Sequence, residues 1–274
     1  MPTAMIQTPT GFTKNQHYVP QFYLKYFYTP NEKCLFATDT RSLPSGPLAK
    51  PEQRSARRIA AVSYLYTALN EEGEASNDLE TAFSKLEDYC SKILVKFKRP
   101  HFEPDENDRL GLCVFVGSLL PRHPRHVFGD RSSDIPSELS RADIDQKNDF
   151  REAAWPTAAI ASRILCGMAM KVHYFEDDIL ITSDAPTLII SIRTNKVTHL
   201  SDSSACVYFP VNPRCLIVFG GSSVAFDAPS GEKVFTDPSV GKAIRQLIID
   251  CSWRQVFSPH PLNECDVLPA DVHA

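Results

Sequence analysis

No run in this chain reaches the roughly 18 uninterrupted apolar residues that a membrane-spanning helix needs. The longest candidate, Leu110 to Leu120 (LGLCVFVGSLL), is shorter and reads as a buried helix. The opening MPTAMIQTPTGFTKNQ has no basic start followed by an apolar run, so no secretory signal is expected. The eight cysteines stand far apart and form no CxxC pair. Reduced, buried thiols in a cytoplasmic protein are the expectation. There is no GxxxxGK[ST] loop, no GxGxxG after a strand, no GxSxG elbow and no HExxH helix. Gly220-Gly221-Ser222-Ser223 follows an apolar run but lacks the lysine of a phosphate loop. Glycine is scarce, 11 residues against 21 prolines, which favours stiff loops over flexible linkers. Excess positive charge is also missing. A net charge of -4 argues against a nucleic-acid binder that works by bulk charge, though not against a local basic groove.

With 274 residues, 43% of them hydrophobic and 23% charged, the chain is long enough to bury a substantial core. We read it as a single α+β domain over 1–274, with a helical part at about 17–170 packed on a mostly antiparallel, sheet-rich part at about 171–257. His17 to Tyr28 (HYVPQFYLKYFY) reads as an aromatic helical segment, and residues 39 to 58 as a loop. The clearest helix covers about Asn77 to Lys98. There Leu79, Phe83, Leu86, Cys90, Ile93 or Leu94, and Phe97 recur at three- and four-residue steps, with Asn77 as its cap. Further helices are expected at about Glu106 to Leu120 and about Asp149 to Met170. After residue 170 the pattern changes to short β-branched or aromatic runs. These are Lys171 to Phe175, Asp178 to Ser183, Thr187 to Ile192, Cys206 to Val211, Cys215 to Gly220 and Lys233 to Phe235. Pro238 to Cys251 returns to helix, and Arg254 to Phe257 reads as a last strand.

Six strings stand out in order: HYVPQFYLKYF, AAVSYLYT, LETAFSKLED, LLPRHPRH, ITSDAP and YFPVNPRCLIVFG. Together, over roughly Gln16 to Gly220, they resemble the uncharacterised family called domain of unknown function 4238. The resemblance implies a shared fold and shared polar positions, and no particular reaction. Where such members usually carry Asn before Pro in the TSD turn, this chain has Ala185.

Four polar residues from distant parts of the chain are candidates for one cleft. His17 titrates near neutral pH and would take or give a proton. Asp184, at a strand end, would orient His17. Arg122, at the end of the central helix, offers a bidentate fork for a phosphate or carboxylate. Glu80 would be a buried acid, sharing a helix flank with Glu87 two turns on. Tyr66 and Ser183 are expected to line the substrate. The bland alternatives are a helix-start histidine, a turn-forming Asp, and a cap-assisting Glu. No metal site is expected, although Glu80 with Asp184 would suit Mg2+, and the cofactor is left open.

Two basic stretches, Arg41 to Arg58 and Lys92 to Arg99, each carry a local +4. With Arg122 and Arg125 they would form a groove for polyphosphate or single-stranded RNA, with Tyr18, Tyr23 and Tyr64 as stacking faces. The function expected is a metal-independent hydrolase or transferase acting on a phosphoester in RNA or a nucleotide, with defence or toxin roles in view. The alternative is a non-catalytic binding or interaction module in which the same polar residues form a structural network.

Overall fold

The computed structural model describes residues 12–41, 48–69, 74–123, 125–126, 138–140, 143–144, 148–226 and 235–263. Within them, β1 (Asn15–His17) leads into a short helix α1 (Gln21–Leu24), which continues as a 3-10 turn to Phe27. Strands β2 (Leu35–Asp39), β3 (Glu52–Arg54), β4 (Ala61–Ser63), β5 (Ala68–Leu69) and β6 (Ala75–Ser76) follow. Then come α2 (Asp78–Leu94), α3 (Glu106–Leu119) and α4 (Asn148–Gly167). The C-terminal part holds β7 (Ala169–Tyr174), β8 (Thr182–Ser183), β9 (Leu188–Ser191), β10 (Ala205–Asn212), β11 (Cys215–Gly220), α5 (Pro238–Cys251) and β12 (Gln255–Ser258).

The core is organised around the antiparallel sheet β7-β11-β10-β9. Its strand β11, CLIVFG, is buried at all six positions, which a strand covered on one face alone cannot be. Alternation divides its side chains. Cys215, Ile217 and Phe219 join the cluster containing Phe97, Phe115 and Val116 from the helical side. Leu216 and Val218 join Ile244, Ile248 and Ile249 of α5. Each fully buried Phe or Leu of this kind is worth about 1.5–3 kcal/mol relative to exposure. The apolar stripe of α2 faces the same helical-side cluster, with Phe83, Cys90, Ile93 and Leu94 buried. Helices α3 and α4 pack closely because Gly117 has no side chain. A Cβ there would sit 2.7 Å from the Ser162 amide nitrogen.

The class is α+β with antiparallel sheets, but the expected split into a helical first part and a later sheet is corrected. Strands occur throughout. The second four-stranded sheet, β3-β2-β12-β8, joins two strands that precede α2 to two that follow β7. Residues 39–58, read as a loop, contain β3 and a 3-10 turn at Ala56–Arg58. Asn77 does not cap α2 with its side chain; its Oδ1 accepts from Gln16 Nε2 at 2.8 Å instead. The run expected over Asp178 to Ser183 pairs only at Thr182–Ser183. Of the run expected over Lys233 to Phe235, Lys233 and Val234 lie outside the described residues, as does Cys265.

A buried arginine cluster as candidate functional site

Four separate segments meet around Arg122. The first is β1, paired antiparallel with β4 so that His17 lies opposite Ala61. Gln16, wholly buried just before it, acts as a clamp. Its amide nitrogen donates to Thr67 Oγ1 at 3.1 Å as well as to Asn77, and its oxygen accepts the Tyr66 amide. One side chain thus ties β1 to the Tyr66 segment and to the start of α2. The last segment is the turn after α3, which carries Arg122.

Arg122 is 2% exposed. Its Nη2 donates to Glu87 Oε1 at 2.7 Å and to the His17 carbonyl at 3.2 Å. Its Nε donates to the Tyr66 hydroxyl at 3.3 Å. The guanidinium lies 4.2 Å from the centre of the Phe83 ring, whose other neighbours include Tyr66 and Trp155. The ion pair and the cation–π contact together hold a charge that burial alone would penalise.

Three buried polar atoms of this cluster have no hydrogen-bond partner: Arg122 Nη1, His17 Nε2 and Glu80 Oε2. Their electrostatics are linked. Burial pushes the Glu80 carboxyl up to about 7, with Arg122 opposing and Glu87 reinforcing. Burial also pushes His17 down to about 4; the backbone of Arg57 and Ala56 facing the ring opposes this, and the charge of Arg122 adds to it. At neutral pH the His17 ring is therefore uncharged. Its Nδ1 takes the Gln21 amide at 3.3 Å, which leaves the ring proton on Nε2. Near and below pH 7 all three unpartnered atoms carry, or can carry, a hydrogen. A buried guanidinium nitrogen, a ring N–H and a protonated carboxyl, each without a hydrogen-bond partner, are the kinds of group that hold an oxyanion.

Asp184 and Ser183 lie in a different setting. Asp184 is 1% exposed and accepts the backbone amides of Trp253 (3.0 Å), Arg254 (2.8 Å) and Gln255 (3.1 Å). Burial pushes its carboxyl up to about 7, while those three donors pull the other way. Its own amide donates to the Gln255 carbonyl, so it latches β8 to β12. Ser183 Oγ donates to the Ala185 carbonyl and accepts its amide, closing the turn. The group that meets the His17 ring nitrogen is Gln21, not Asp184. Tyr18, buried beside β1, is the side chain whose hydroxyl feels both Asp184 and Tyr66.

The surface groove expected from the basic stretches does not form as drawn. Arg122 is interior, and Tyr18, Tyr23 and Tyr64 are all buried. Tyr23 donates to the Pro210 carbonyl at 2.7 Å, inside the core, and so offers no stacking face. Lys96 pairs with Asp108 at 2.5 Å, and Lys98 lies over the Tyr26 ring. His123 and His126 meet as rings, and among the described residues no three His, Cys, Asp or Glu side chains group to hold a metal ion. Nor is any described helix long and apolar enough to cross a membrane. The described cysteines are all free thiols.

Glu87 and Gln16 were underweighted in the sequence. The seven-residue spacing to Glu80 was the signal for the first. A polar residue inside the aromatic opening block was the only signal for the second.

The fold and the cluster thus define an α+β protein built around a buried arginine, with three unpartnered polar atoms in its cluster. The family model described as a protein of unknown function, DUF4238, matches residues 15–260, and the chain belongs to that family. No curated protein and no solved structure matches it.

Proposed function

We propose that the Arg122 cluster binds a phosphoryl group and that the protein is a metal-independent phosphoester hydrolase or transferase, with RNA or a nucleotide as the substrate class. The observation that carries this reading is the set of three buried, unpartnered atoms, Arg122 Nη1, His17 Nε2 and Glu80 Oε2. A purely structural network would be expected to satisfy them. In this reading Arg122 and His17 hold non-bridging oxygens, and Tyr66 and Glu87 fix the guanidinium. Protonated Glu80 gives its proton to the leaving oxygen as the P–O bond breaks, the oxygen of water or an acceptor hydroxyl forms the new P–O bond, and the proton it sheds returns to the Glu80 carboxylate. The loose transition state of phosphoryl transfer asks for positioning and charge neutralisation above all. Asp184 and Ser183 take no step; they hold the strand pair beneath Tyr18.

The experiment is turnover of p-nitrophenyl phosphate and bis-p-nitrophenyl phosphate across pH. The acid must be protonated, so the rate is expected to fall as pH rises through about 7, the position of Glu80. Glu80→Gln keeps a donor but cannot transfer the proton, so it should bind and not turn over. Absence of turnover, or turnover indifferent to Glu80→Gln, rejects the catalytic reading.

A second reading has its own support. Arg122 already spends three hydrogen bonds on the protein and ties β1, α2 and the turn after α3 together. A non-catalytic binding module that uses this cluster as its lock fits that observation.

A further inference from the structure

We propose a second site: the basic cleft between β2–β3 and the Ile59–Ala61 segment binds the phosphate groups of a small phosphorylated molecule. Its cationic side chains are not those of the Arg122 cluster, so either proposal can fail alone. Two adjoining cavities, of about 570 Å3 and about 470 Å3, share Arg54 and Arg58 as walls. The larger lies within the size range of small-molecule sites. Lys50 and Arg58 both line it, and Arg57 lines the smaller one.

Charge pairing leaves this cleft cationic. The acids on its walls are occupied within their own strands or turns. Glu52 pairs with Arg54, and Asp39 takes Arg41 at 2.5 Å. Lys50, Arg57 and Arg58 are exposed and make no ion pair among the described residues. Three cations without ion-pair partners line two adjoining cavities, and the two acids there are already paired with other arginines, which suits a multiply charged anion.

The backbone is prepared rather than incidental. The 3-10 turn Ala56–Arg58 is pinned by the Ala56 amide donating to Tyr28 Oη at 3.1 Å. Its buried Ala56 leaves the two following arginines pointing outward. Ala60, on the cavity wall, has φ of 50°, the left-handed region that a non-glycine residue occupies at a cost. The Tyr18 amide donating to the Ala60 carbonyl at 2.9 Å holds it there. A strained residue, a pinned turn and free cations lie in one place.

A single-stranded RNA track would want a continuous cationic wall and exposed aromatic rings. Here Asp39 and Glu52 interrupt the wall, and Tyr18 and Tyr64 are buried. A compact phosphorylated ligand fits better.

The test is calorimetric titration of the full chain with inorganic tripolyphosphate at low salt. The wild type should bind with sub-millimolar affinity, and the pair Lys50→Gln/Arg58→Gln should weaken that affinity by about tenfold or more. Exposed Lys242→Gln should leave it unchanged. No binding, no loss in the Lys50→Gln/Arg58→Gln pair, or equal loss with Lys242→Gln would each overturn the proposal. So would tighter binding of an RNA oligonucleotide than of tripolyphosphate at equal phosphate concentration. Melting curves for each variant confirm folding. If the double variant melts early, the single Arg58→Gln replaces it, with a weakening of at least about threefold expected.

Discussion

Removing the Arg122 side chain should cost the fold more than any surface change. Arg122→Ala leaves Glu87, whose side chain is 22% exposed, without its cation and facing Glu80. The His17 carbonyl and the Tyr66 hydroxyl lose a donor, and the Phe83 ring loses its covering guanidinium. Breaking a buried ion pair by deleting one partner costs about 3–5 kcal/mol. Glu87 retains some water contact, so the low end, about 3 kcal/mol, is expected here. For a chain of this size that is a fall in Tm of about 6–12 °C. Urea denaturation gives the free energy, and calorimetry gives Tm. The double variant Arg122→Ala/Glu87→Gln should recover part of the loss, because the stranded charge is then gone. A change under about 1 kcal/mol, or no recovery in the double variant, would refute the view that this guanidinium organises the cluster.

Two further outcomes follow from the same geometry. Asp184→Ala strips the acceptor from three backbone amides between Trp253 and Gln255, and should destabilise by about 3–5 kcal/mol; a wild-type urea midpoint would show that the latch is dispensable. Glu80 holds its proton more tightly when folded, about 7 against an ordinary value of 4.5, so its contribution to stability grows as pH falls from about 7 toward 4.5 and is lost as pH rises again. His17, pushed down to about 4, works in the opposite direction below its ordinary value of 6.5. Glu80→Gln should therefore lose stability relative to wild type on acidification from pH 7 to 5, by up to about 2 kcal/mol; parallel stability profiles would contradict the raised carboxyl.

Long elements were legible in the sequence because their periodicity is dense. The stripe from Leu79 to Phe97 named α2, and the apolar run CLIVFG named β11. The latter is buried on both faces, which erases alternation and leaves only length and β-branching as the clue. The short strands at the N-terminal end were not legible. Three residues such as Asn15–His17 carry no period, and their partner at Ala61–Ser63 lies more than forty residues away. Asn77 looked like a cap because its own helix asked for one; a buried glutamine sixty-one residues earlier claimed its side chain. Tyr18, Tyr23 and Tyr64 looked like stacking faces because sequence reports an aromatic ring without reporting which side of the surface it is on. The meeting of His17, Tyr66, Glu80 and Arg122 rested on family strings rather than on spacing. The same strings drew in Asp184, whose carboxylate serves a neighbouring strand.

Sulfate keeps one charge state across this pH range, so it probes the donor cluster without a titration of its own. The decisive measurement is the 15N NMR signal of the His17 imidazole during a sulfate titration at pH 5.5 and again at pH 8.5. If three donors await an oxyanion, sulfate shifts the Nε2 resonance at the lower pH, binds more weakly at the higher one as Glu80 ionises, and does neither in Arg122→Gln. An imidazole signal that ignores sulfate at both pH values, or moves equally in Arg122→Gln, contradicts that claim.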